Sequence, residues 1–95
     1  QRGIAWRLSG NLERSLEDLT RAIRIEPSSD CYYERGATYQ AAGNHAKAIE
    51  DFNLSIEFRP MHPHLYYARA LSRRAIGDLP GARADHQKAR ELDRR

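Results

Sequence analysis

Arg35-Gly36-Ala37-Thr38-Tyr39, followed by Gly43-Asn44, is the stretch on which the reading of this 95-residue chain turns. The same arrangement stands upstream as Arg2-Gly3-Ile4-Ala5-Trp6 with Gly10-Asn11, and downstream as Arg69-Ala70-Leu71-Ser72-Arg73 with Gly77-Asp78. The three glycine turns are 33 and 34 residues apart. A period of that length marks an array, because one such unit cannot bury its own apolar face and must stack on its neighbours.

In the central unit, Tyr32, Arg35, Gly36 and Tyr39 recur at spacings of three and four, which predicts a first helix, A, over residues 29–41. Glycine suits the left-handed residue after a helix end and Asn44 can cap the next helix, so Gly43-Asn44 predicts a tight antiparallel reversal. His45, Ile49, Phe52 and Ile56 then form one stripe of a second helix, B, which Pro60 closes because proline cannot continue a helix. By the same pattern, helix B of the first unit is expected over residues 12–25, ending near Pro27, with its helix A starting at about Gln1 and short of its opening turns. In the third unit Pro63 is expected in the first turn of helix A, with helix B over 79–92. The chain therefore reads as one all-α domain of a truncated unit 1–28 and two full units, 29–62 and 63–95. A start inside a unit, without an initiating methionine, suggests a piece of a longer protein.

Tyr32-x-x-Arg35-Gly36-x-x-Tyr39, then Ala48-x-x-x-Phe52, then Pro60, resembles a tetratricopeptide repeat. The first unit fits from Arg2 through Trp6, Ser15, Leu19, Ala22 and Pro27. In the third, Tyr66, Ala82 and Ala89 fit, while Ala70 stands for the glycine, Arg73 for the tyrosine, His86 for the phenylalanine and Arg94 for the proline. His86 is accordingly expected as an interior or capping side chain. The resemblance implies a right-handed α-solenoid of two and a half repeats, in which the A helices line a concave groove that receives a partner segment.

Fourteen Arg and 2 Lys face 13 acidic residues, a net charge of +3. The arginines are largely matched by acids along the chain, and no basic run with interleaved aromatics occurs, so nucleic-acid binding is disfavoured. One cysteine, Cys31, rules out an internal disulfide and fits a reducing, cytoplasmic setting. No apolar run reaches membrane-spanning length. Nothing resembles a phosphate loop or a catalytic triad, so no enzyme activity and no cofactor is expected. His62-Pro63-His64 invites a metal reading, but no acid or Cys31 sits at ligand spacing beside it, and no metal site is expected.

Arg2 and Asp18, Arg35 and Asp51, and Arg69 and Asp85 are each 16 residues apart. Identical repetition in every unit points to a structural role: a charge-assisted clamp between helices A and B that fixes their register.

Positions 30, 33, 37, 40 and 41 correspond to 64, 67, 71, 74 and 75, and to 4, 7 and 8, a spacing that keeps each set on one helix face. With the concave face that the resemblance implies, the groove would present Ile4, Arg7, Leu8, Asp30, Tyr33, Gln40, His64, Tyr67, Leu71 and Arg74. Tyrosines over an arginine rim suit a protein or peptide with apolar anchors and some acidic groups. One subset of the family grips the C-terminal carboxylate of chaperone tails with lysine, asparagine and arginine. This chain has Ile4, Glu34, His64 and Ala68 at the clamp positions, which disfavours a chaperone tail. A non-catalytic protein-interaction module is the function expected, with repeat-end assembly or recruitment within a larger enzyme as alternatives.

Across the B helices, Leu12, Leu16, Leu19 and Ile23 become His45, Ile49, Phe52 and Ile56, then Leu79, Arg83, His86 and Arg90. The polar third stripe is expected at the end of the array, and self-association through the N-terminal end instead.

Overall fold

The computed structural model describes the backbone of residues 2–94 and the side chains of residues 11–94. Five helices follow in order: α1 (Arg2–Ile25), α2 (Ser29–Ala41), α3 (His45–Phe58), α4 (Pro63–Ala75) and α5 (Leu79–Asp93). Among the described residues there is no strand, and no helix is long and apolar enough to cross a membrane. Each helix packs on its sequence neighbours, and α2 also touches α4, so the chain builds a solenoid of two hairpins, α2–α3 and α4–α5, with α1 laid against α2.

The two reversals are made alike. Gly43 and Gly77 take positive φ, 84° and 87°. The amides beyond them close the preceding helix, Asn44 N–H donating to the Tyr39 carbonyl and Asp78 N–H to the Arg73 carbonyl, both at 2.8 Å. Asn44 Oδ1 and Asp78 Oδ1 then accept from the backbone of Lys47 and Gly81 at 3.4 and 3.0 Å, capping α3 and α5. Ser28 caps α2 through Cys31 N–H, and Pro63 opens α4, where its missing N–H costs nothing.

The reversal expected at Gly10-Asn11 is not made: α1 runs unbroken through it and joins the segments read as helices A and B of the first unit. The reason is nucleation. A reversal there needs a newly nucleated helix, whereas extending α1 adds one hydrogen bond per residue to an existing one. Keeping Gly10 helical costs only about 1 kcal/mol. Units two and three are therefore hairpins, and unit one is a single helix.

The interior holds Ala48, Phe52, Leu65, Tyr66, Ala70, Ala82, Ala89 and Leu92. Phe52 fits because position 36 has no side chain: a Cβ on Gly36 would lie 2.8 Å from the Phe52 ring and 3.2 Å from the Ala48 carbonyl oxygen. Between the hairpins, Ile56 of α3 packs against Tyr66, Ala89 and Leu92.

Candidate functional site

Guanidinium groups fix the helices that carry the site. Arg35 donates to Asp51 twice, Nε to Oδ2 at 2.8 Å and Nη2 to Oδ1 at 2.7 Å. Arg69 repeats this on Asp85 at 2.9 and 2.7 Å. Both carboxylates are buried, with side chains 3% and 4% exposed, so an unpaired charge there would be costly. The hydrogen bonds that Arg35 donates to Asp51 raise its pKa against the lowering effect of burial, so the guanidinium stays charged. Each arginine also covers a tyrosine ring of its own helix, Arg35 over Tyr32 and Arg69 over Tyr66. The third nitrogen reaches back to the preceding helix: Arg35 Nη1 to Thr20 Oγ1 at 3.4 Å, and Arg69 Nη1 to Asn53 Oδ1 at 2.8 Å. The expected Arg2 and Asp18 pair involves a side chain outside the described residues, and the backbone there lacks the reversal it was to tie.

Between α2 and α4 lies an open groove of about 400 Å³. Six of the anticipated residues line it: Tyr33, Gln40, His64, Tyr67, Leu71 and Arg74. Asp30 does not: it sits on the first turn of α2, where it favours the charged form of His64. The side chains of Ile4, Arg7 and Leu8 lie outside the described residues.

Within the groove the lining residues differ in what they can offer. Gln40 is committed internally: its Nε2 donates to the Ala68 carbonyl at 2.9 Å and to Ser72 Oγ at 2.8 Å, so both amide protons tie α2 to α4. His45 Nδ1 joins the same buried hydroxyl at 3.1 Å. The Tyr33 ring rests between Phe52 and His64, edge-on to the latter. Tyr67 packs edge-on to His86 and donates its hydroxyl to Asp93 Oδ2 at 3.2 Å. Desolvation and that carboxylate raise its pKa above 10, so the phenol stays protonated. Burial and the neighbouring His62 ring lower His64 below 6.5, outweighing Asp30 and leaving a neutral imidazole at pH 7. Leu71, 58% exposed, supplies apolar surface, and Arg74 forms no ion pair among the described residues.

Ala68, Ala70 and His86 line the groove without having been expected there, and His86 is the one with polar chemistry to offer. Expected as an interior or capping side chain, it is exposed and lines the groove instead. Where Gly36 leaves room for the Phe52 ring, the third unit has Ala70, itself buried, and the imidazole packs on Tyr67. The paired change of glycine to alanine and phenylalanine to histidine was the available signal. A second unforeseen feature is a clasp closing α2 on α3: the Ser29 and Ser55 hydroxyls lie 2.8 Å apart, and each donates to the other's carbonyl. Both residues are buried, and among the described residues no buried side-chain polar atom lacks a partner. Among the described residues no cluster of three potential ligands could hold a metal.

Residues 29–62 match the family model for the tetratricopeptide repeat. No curated protein matches the chain. Among solved structures it is similar to MamA, with 28% identity over 88% of this chain and 50% of that one and a TM-score of 0.85. A second MamA structure, described as MSR-1 C2, has 22% identity over 97% of this chain and 53% of that one, also at 0.85. The first tetratricopeptide-repeat domain of Spaghetti (RPAP3), bound to the HSP90 peptide SRMEEVD, has 22% identity over 96% of this chain and 73% of that one, at 0.83. The chain spans about half the length of the two MamA chains. Residues 29–62 thus carry a tetratricopeptide repeat, and the five helices share the fold of the tetratricopeptide-repeat domain of Spaghetti.

Proposed function

We propose that this chain is a non-catalytic protein-interaction module whose groove between α2 and α4 receives a segment of a partner protein. Tetratricopeptide repeats generally mediate protein–protein interaction, and the reading rests on one local observation. Tyr33, Tyr67 and Leu71 present aromatic and apolar surface beside Arg74, with His64 and His86 between them, in a single open trough. Large aromatic side chains anchor binding segments efficiently, and an arginine at the edge selects acidic groups. The HSP90 peptide of the RPAP3 domain is not carried over, because Ile4, Glu34, His64 and Ala68 replace the lysine, asparagine and arginine of a carboxylate clamp.

The test is a pulldown with the wild-type protein beside a Tyr33→Ala/Tyr67→Ala variant of unchanged circular dichroism. A partner captured by the first and lost by the second supports the groove, and each tyrosine should contribute about 2 kcal/mol to the affinity for it. Undiminished binding after further replacement of Arg7 and Arg74 would place the site on another face.

A further inference from the structure

The hairpins are copies, so the face of α3 that seats α4 has an equivalent on α5, 34 positions further on. Asn53 and Ile56 of α3 meet the α4–α5 hairpin, and Ile49 and Phe52 belong to the same stripe of the sequence. Asn53 accepts from Arg69 of α4, and Ile56 packs against the cluster of Tyr66, Ala89 and Leu92. On α5 the matching residues are Arg83, His86, Gln87 and Arg90, and together with Glu91 and Arg94 they line an open trough of about 570 Å³. Its position is that of a helix seat. Its chemistry has changed: arginines stand where α3 has isoleucines, while Gln87 keeps the side-chain amide of Asn53. All six residues are exposed, and among the described residues Arg83, Arg90 and Arg94 form no ion pair.

We propose that this face of α5 binds a helix of a partner protein whose contact side carries carboxylates. Arg83, Arg90 and Arg94 lie at spacings of seven and four, hence on one helical face, and can each fork onto a carboxylate of a helix laid alongside. The trough favours a rod-shaped occupant over an extended one. Glu91 sits within the row, where it would repel a phosphate backbone but accept a basic residue of a mixed-charge helix. This surface shares only His86 with the groove between α2 and α4, so the two readings stand or fall separately.

The test is fluorescence anisotropy with three labelled probes: an amphipathic helical peptide with glutamates spaced to meet the three arginines, the same peptide with lysines, and a short DNA duplex. Each is titrated into the wild-type protein and into Arg83→Glu/Arg90→Glu, whose fold is checked by circular dichroism. The acidic peptide should bind the wild type, lose at least about tenfold in the variant and weaken as salt rises. The lysine peptide should show the reverse preference between the two proteins, and NMR should show the Gln87 side-chain amide shifting on binding. The proposal is overturned by no saturable binding of the acidic peptide below about 1 mM, by equal binding to the variant, or by shifts confined to α2 and α4. Tighter binding of the duplex than of the peptide would overturn it too, and assign the face to nucleic acid.

Discussion

In the α2–α3 hairpin a phenylalanine ring lies against a glycine; in the α4–α5 hairpin the same two positions hold His86 and Ala70. Around this difference the polar frame is copied: the arginine fork on a buried aspartate, the tyrosine beneath the guanidinium, and the left-handed glycine with its two closing amides. Every hairpin needs its two helices held in register and its turn satisfied, so these features repeat. Apolar fill answers to what lies on the far side of a helix. Helix α3 is sandwiched between α2 and α4, and Phe52 is fully buried there; among the described residues α5 packs on α4 alone, and His86 is exposed.

The largest effect that could break this contrast is in the fill. Phe52→Ala should cost about 3–5 kcal/mol in urea unfolding, whereas His86→Ala should cost less than about 1 kcal/mol. Equal losses would mean that the third hairpin depends on its ring as the second does. The clamps sharpen the comparison next. Arg35→Met leaves Asp51 buried without its guanidinium and should destabilise by about 3 kcal/mol, with Asp51→Leu in the same background recovering part of the loss. Additive single losses would show that the two side chains are not coupled. The matching Arg69→Met should cost about 1 kcal/mol less, because Arg73 Nη1 still donates to Asp85 Oδ2 at 3.0 Å. The smallest effect is in pH. His64, at the start of α4, has a folded pKa below the 6.5 of the unfolded chain. As pH falls below 6.5 the unfolded state takes up its proton first, so the stabilisation is complete above that value and declines as pH drops towards the folded pKa. His64→Gln should flatten this part of the stability profile measured by thermal unfolding at stepped pH, and an unchanged slope would assign it to another group.

Much of this frame was legible in the sequence alone. Periodicity placed α2 and both of its flanking turns, the separation of 16 picked out the two arginine–aspartate forks, and helix-face spacing gathered most of the groove lining. Features that depend on a neighbour's shape were not legible. Gly10-Asn11 carries the same turn signal as Gly43-Asn44, but a turn forms only where the returning helix has something to bury. The role of Gln40 depends on α4 lying close enough to take both amide protons, and the Ser29–Ser55 clasp has no counterpart in the other units from which it could be noticed. Asp30 shares the helix face but does not line the groove, a distinction that spacing along one helix does not contain.

The backward reach of Arg35 and Arg69 has a mechanical consequence. One planar, rigid group is bonded at the same time to its own hairpin and to the helix before it, so the angle at which one unit follows another is set by the guanidinium's fixed geometry. The pitch of the coil is then carried by single side chains together with the apolar contact. Lysine at either position would keep the charge yet offer a single point of attachment on a flexible stem, turning a rigid joint into a hinge and letting the curvature of the concave face drift.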